Sequence, residues 1–165
     1  MVRTITILPG TMYRSCTFRA LQANEYPWEL LLEADPSREL VDAYLSAGEC
    51  VGAFYDQRLV GEYVAAPHSA DTLELMNIAV SPHARGGGVG KQLVAECLKR
   101  GRDQGFTTLE VGTGNSSIDQ LAFYQKCGFR IVGVDRDFFV RNYPEPIVEN
   151  GIPCRDMVRL AIELR

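Results

Sequence analysis

Apolar and polar positions along the chain recur with two different periods, and the changes from one period to the other lay out the elements. Residues 3–8 read as a first strand. Residues 27–47 carry helical spacing that is interrupted at Asp35-Pro36, which predicts one or two short helices with Ser37 as an N-cap. Residues 50–55 and 59–65 flank Asp56-Gln57-Arg58 and read as a hairpin. Residues 73–80 are apolar on both parities, as a central strand would be. Over 88–104 the period becomes helical again, with Val89, Leu93, Val94, Cys97, Leu98 and Gly101 on one stripe and Gly105 as the stop. Residues 107–111 form another strand. Residues 117–126 form a short helix, opened by a capping box of Ser117 and Gln120 and closed by Gly128. Residues 129–134 and 157–164 supply the last strands, and 135–155 between them reads as a long irregular stretch of the kind that is usually functional or disordered. The sum is a mixed sheet with helices, an α/β or α+β fold.

Composition narrows this to one globular domain over 1–165, since 165 residues with 46% hydrophobic and 23% charged positions can bury a sizeable core. A formal net charge of -4 argues against a nucleic-acid partner and leaves room for a small cationic substrate. The apolar run at 4–8 is broken by Pro9, too short for a signal-peptide core, and no run approaches a membrane span. The five cysteines (Cys16, Cys50, Cys97, Cys127 and Cys154) are odd in number and lack CxxC or Cys/His ligand spacing. Neither a disulfide framework nor a metal site is expected, and reduced thiols packed in a cytoplasmic protein are.

Against that background one segment stands out, because four of the fifteen glycines fall at 86, 87, 88 and 90, directly before the helical run. A Walker loop would need glycine at Arg85 and Ser or Thr at Gln92. The dinucleotide pattern would need its third glycine at Lys91 or Leu93. Both fail. What remains is a strand, a Gly-rich turn and a helix N-terminus, where unpaired N–H groups converge and missing side chains let an anion approach.

Over nearly all of 70–135 the sequence resembles the GNAT superfamily of N-acetyltransferases. The family's acetyl-CoA signature, Arg or Gln, two residues, Gly, one residue, then Gly or Ala, is matched by Arg85, Gly88 and Gly90. Its second signature, a helix with a tyrosine ending in Gly-Phe, is matched by Tyr124, Gly128 and Phe129. The resemblance implies a mostly antiparallel central sheet and acetyl-CoA as co-substrate, with no metal. It assigns the pyrophosphate to the amides of Gly86, Gly87, Gly88, Val89, Gly90 and Lys91, with Arg85 shaping the loop or adding charge. The backbone of Ile78, Ala79 and Val80 would pair with pantetheine as an added strand. The family's cofactor-contacting asparagine falls at Ser117 here, and Asn115 nearby is the alternative.

An alkylamine acceptor is protonated at neutral pH and needs a base before it can attack a thioester. Glu74 is the candidate: it shares its parity with Met76, Ile78 and Val80, an apolar set whose desolvation would raise a carboxyl toward the working pH, and it matches the base of the family's histone-acetylating branch. A water chain is the alternative. Glu62 and Glu110 are strand carboxylates with weaker claims. The resemblance gives the oxyanion to the backbone N–H of Ile78 and makes Tyr124 the acid that protonates the departing thiolate.

The acceptor expected is a small cationic amine facing Asp135, Asp137, Glu145, Glu149 and Asp156 and the rings of Phe138, Phe139 and Tyr143. His68 and His83 read as surface residues. A protein or peptide amine, a non-catalytic acyl-CoA-sensing module and an unrelated nucleotide-binding domain are the competing readings, and a homodimer is left open.

Overall fold

The computed structural model describes residues 12, 13 and 15–165, so the strand expected at 3–8 lies outside the described residues. In chain order the elements are β1 (Thr17–Ala20), α1 (Trp28–Ala34), α2 (Arg38–Ala47), β2 (Glu49–Tyr55), β3 (Arg58–Pro67), β4 (Thr72–Val80), α3 (Val89–Asp103), β5 (Thr108–Gly114), α4 (Ile118–Lys126), β6 (Arg130–Asp135), α5 (Phe138–Asn142), β7 (Ile147–Glu149), β8 (Ile152–Cys154) and β9 (Met157–Glu163). The main sheet runs β1-β2-β3-β4-β5-β9-β6, and β7 pairs with β8 apart from it. The β1/β2, β2/β3, β5/β9 and β6/β9 pairs are antiparallel and β4/β5 is parallel. This is the mixed α/β fold with a mostly antiparallel sheet and helices that the sequence implied.

By its contacts the chain forms two compact units, one comprising residues up to Ala65 with Asn77–Cys97, the other Ala66–Met76 with Leu98–Arg165. In the first, the break expected at Asp35-Pro36 separates α1 from α2, and the Ser37 hydroxyl accepts from the Leu40 N–H at 3.3 Å as the N-cap of α2. Leu30, Leu31, Val41 and Leu45 of these helices are buried, as are Val51, Ala53, Val60 and Val64 of β2 and β3. The hairpin between those strands turns on Asp56 and Gln57, both at positive φ (47° and 63°), the handedness that matches strand twist.

In the second unit, Leu109, Val111 and Leu160 form the buried heart of β5 and β9. Gly101 of α3 permits close packing here: a Cβ at that position would stand 2.9 Å from Leu164 Cδ1 and 3.4 Å from Leu73 Cδ2. The stop at Gly105 is present, at φ +89° with its N–H on the Arg102 carbonyl.

Two expectations need correction, and one strand was not foreseen. The capping box on α4 is not formed: the Ser117 hydroxyl donates to Glu149 Oε2 at 3.1 Å, and Gln120 Oε1 accepts from the Thr113 hydroxyl. Residues 135–155 are not irregular, because they hold α5 and the β7/β8 hairpin, which turns on Asn150 and Gly151 at φ 53° and 70°. Asn-Gly is the strongest short hairpin signal, and here it outweighs the Pro and Glu content around it. The short strand β1 was not foreseen; its four residues pair with β2 but carry too little apolar pattern to announce themselves.

Candidate active site

In the first unit, β4 ends at Val80, a single 3-10 turn covers Pro82–Ala84, and the glycine turn leads into α3. Gly86 and Gly88 adopt φ of +76° and +87°, which side-chain-bearing residues rarely tolerate. The carbonyls of Gly87 and Gly88 are turned toward protein, accepting from the N–H groups of Tyr13 (3.0 Å) and Gln92 (3.3 Å). The first turn of a 15-residue helix has N–H groups without intrahelical partners. Such a donor set suits a pyrophosphate. Arg85 Nε donates to the Val80 carbonyl at 3.1 Å and its terminal nitrogen pairs with Glu33, so its side chain is spent on the loop's shape. Lys91 is exposed. Gly61 of β3 leaves room for the end of β4, since a Cβ there would lie 2.8 Å from the Ala79 carbonyl oxygen. Ile78, Ala79 and Val80 are all half-buried.

In the second unit, Glu74 stands in register with Glu110 across β4/β5, and both meet Arg159 of β9. The two guanidinium nitrogens divide between them, with Nη1 2.8 Å from Glu74 Oε1 and Nη2 3.0 Å from Glu110 Oε2. His68 Nδ1 lies 3.4 Å from Glu74 Oε2. Burial works to lower the Arg159 pKa, but its hydrogen bonds and charge contacts with Glu74 and Glu110 outweigh that and raise it. The apolar setting expected for Glu74 is therefore not what surrounds it: Met76 follows it on the same parity, but a cation from β9 meets its carboxylate. Arg159 escaped the sequence reading. Its signal was there, as the one charge within the otherwise apolar residues 157–162.

Tyr124 is buried, with its ring 5.3 Å from Phe123 and 5.7 Å from Phe129, and Phe129 N–H donates to the Tyr124 carbonyl, so the Gly-Phe ending does fold back on the tyrosine. Asn115 is occupied locally: Nδ2 donates to the Pro153 carbonyl and Oδ1 accepts from the N–H groups of Arg155 and Asp156. Of the acidic stretch, Asp135 pairs with Arg141 and Asp137 with Arg155, while Asp156 accepts from the Asp137 N–H and Glu149 from Ser117. A recess of about 320 Å³ lies beside Phe139, Tyr143, Ile147, Pro153 and Arg155.

Glu62 of β3 is wholly buried, neither of its oxygens meets a hydrogen-bond donor among the described residues, and desolvation pushes its pKa to about 8. None of the five cysteines is in a disulfide. Among the described residues there is no group of three or more His, Cys, Asp or Glu side chains placed to hold a metal, and no helix long and apolar enough to cross a membrane.

The model of the acetyltransferase (GNAT) family matches residues 15–129. The chain is 50% identical over 143 residues to the N-acetyltransferase YvbK of Bacillus subtilis, covering 87% of this chain and 92% of that protein. It is similar in structure to a GNAT acetyltransferase from Elizabethkingia anophelis with acetyl-CoA bound (TM-score 0.87, 44% identity, 90% and 97% of the two chains). A Bacillus subtilis acetyltransferase in complex with CoA is comparably close (TM-score 0.86, 47% identity, 92% and 100% of the chains). With the glycine turn, the Arg85 anchor and the buried Tyr124 all present in the fold that those proteins share, the chain belongs to the GNAT family of N-acetyltransferases.

Proposed function

We propose that residues 1–165 work as one cytoplasmic acetyltransferase domain that moves the acetyl group of acetyl-CoA to the primary amine of a small cationic molecule, by direct attack when both substrates are bound. The observation that carries this reading is the turn at Gly86 and Gly88, held at positive φ in front of α3 and anchored by Arg85 to Val80. The amides of Gly86, Gly87, Gly88, Val89, Gly90 and Lys91 hold the pyrophosphate, and the backbone of Ile78, Ala79 and Val80 pairs with the pantetheine arm.

For the chemistry, the acceptor ammonium first gives a proton to Glu74, the neutral nitrogen then forms a bond to the thioester carbon, and the C–S bond breaks as Tyr124 gives a proton to the sulfur and the second nitrogen proton goes to the resulting phenolate. The Ile78 N–H meets the oxygen that carries charge in between. No metal takes part. The acceptor's positive charge is met by the Glu74–Glu110–Arg159 cluster, where two carboxylates face one guanidinium and one negative charge is in excess. Asp135 and Asp137 are already engaged by Arg141 and Arg155 and are not needed for it.

The test is CoA release from acetyl-CoA across a panel of polyamines, aminoglycosides, amino-acid amides and peptides with free N-termini. Turnover with the small polycations and none with the peptides is expected. Turnover confined to neutral or peptidyl amines would overturn the acceptor assignment.

A further inference from the structure

We infer that Arg159 is the positioning residue of the acid–base site, fixing Glu74 and Glu110 side by side, and that the bare backbone of Gly112 is the passage its side chain uses. The inference rests on the reading that Glu74 takes the acceptor's proton.

Registers place the parts. Glu74 pairs with Glu110 across β4/β5, and Gly112 pairs with Arg159 across β5/β9. Residues two apart on a strand share a face, so Glu110 and Gly112 lie on the same side of β5. Arg159 is two strands away from Glu74, roughly 10 Å at the usual strand spacing. Its side chain reaches that far only by running over β5. The crossing point is Gly112, where a Cβ would stand 3.0 Å from an Arg159 terminal nitrogen and 2.5 Å from Met157 Sδ. At that point the guanidinium fork gives one nitrogen to each carboxylate.

The division matters because like charges on neighbouring strands repel and would turn away from each other without a shared cation. A lysine offers one nitrogen and cannot reproduce the fork. The charged and titratable groups that face Glu74 are Glu110 from β5, Arg159 from β9 and His68 from the start of the β3–β4 connection. Removing Arg159 leaves Glu74 with a like charge and a histidine. The acidic limb of kcat should then move to higher pH.

The experiment compares R159Q, R159K, G112A and E74Q in the full chain, recording kcat against pH and the KM of each substrate, with circular dichroism to verify folding. In R159Q the limb is expected to move up by about one pH unit, roughly a tenfold loss of rate on its acid side, with the acetyl-CoA KM unchanged. R159K should not restore the profile. G112A, which keeps the arginine but obstructs its route, should move the limb the same way by less, and it carries the test if R159Q does not fold. A parent-like profile in R159Q and G112A alongside an impaired E74Q would overturn the positioning role alone. Parent-like rates in E74Q itself would instead overturn the base reading beneath it.

Discussion

Arg85 Nε donates to the Val80 carbonyl across 3.1 Å, closing the glycine turn back on the last residue of β4. The bond joins the two segments assigned to the cofactor. Arg85→Ala should therefore weaken acetyl-CoA binding by about tenfold or more, the worth of a charge-assisted hydrogen bond, measured by calorimetry. Stability without ligand should change by less than about 1 kcal/mol, because the ion pair with Glu33 is exposed. Unchanged affinity would mean that the turn holds its shape without the arginine.

The turn itself can be tested at Gly86 and Gly88. A Cβ at Gly86 meets nothing within 4 Å, so Gly86→Ala is a conformational change and not a steric one, and at φ +76° it should cost about 1–2 kcal/mol. Gly88→Glu adds bulk and like charge where the pyrophosphate is assigned. Acetyl-CoA at a hundredfold excess over its dissociation constant should stabilise the parent by about 2.7 kcal/mol and this variant by nothing. Equal shifts in thermal denaturation would place the pyrophosphate elsewhere.

Glu62 should make stability fall with rising pH. Its carboxyl titrates at about 8 when folded against 4.5 for an ordinary glutamate. Between those values the folded chain holds a proton that the unfolded chain has lost, so its contribution is full below about pH 4.5, drains away as pH rises and levels off above about 8. Glu62→Gln removes this dependence. Its melting temperature relative to the parent should climb steadily from pH 5 to 8, and a constant difference over that range would mean that the buried carboxylate has a partner in solution.

Much of this was legible in the chain, and the failures have physical causes. The α1/α2 break, the β2/β3 turn and the α3 stop were readable because Pro36, Ser37 and Gly105 act locally, within one turn of where they stand. The GNAT motifs were readable because a turn with positive φ demands glycines at fixed places, as at Gly86 and Gly88. Arg159 was not, because its partners Glu74 and Glu110 lie 85 and 49 residues away and only the sheet register brings them together. The expected cap of α4 failed for the same reason: the Ser117 hydroxyl is used by Glu149, 32 residues away, and not by α4.

The central claim is that Glu74 takes a proton and Tyr124 gives one, and kcat against pH for Glu74→Gln and Tyr124→Phe with one reactive amine tests it most directly. Tyr124→Phe keeps the ring between Phe123 and Phe129, so the acetyl-CoA KM should hold while kcat falls by about 10²-fold or more across the whole range. The Glu74→Gln loss should shrink as pH rises toward the pKa of the acceptor, because more of the amine is already neutral. Diverging profiles of that kind are what the account predicts. Losses in Glu74→Gln that stay constant with pH, or full activity in Tyr124→Phe, would contradict it.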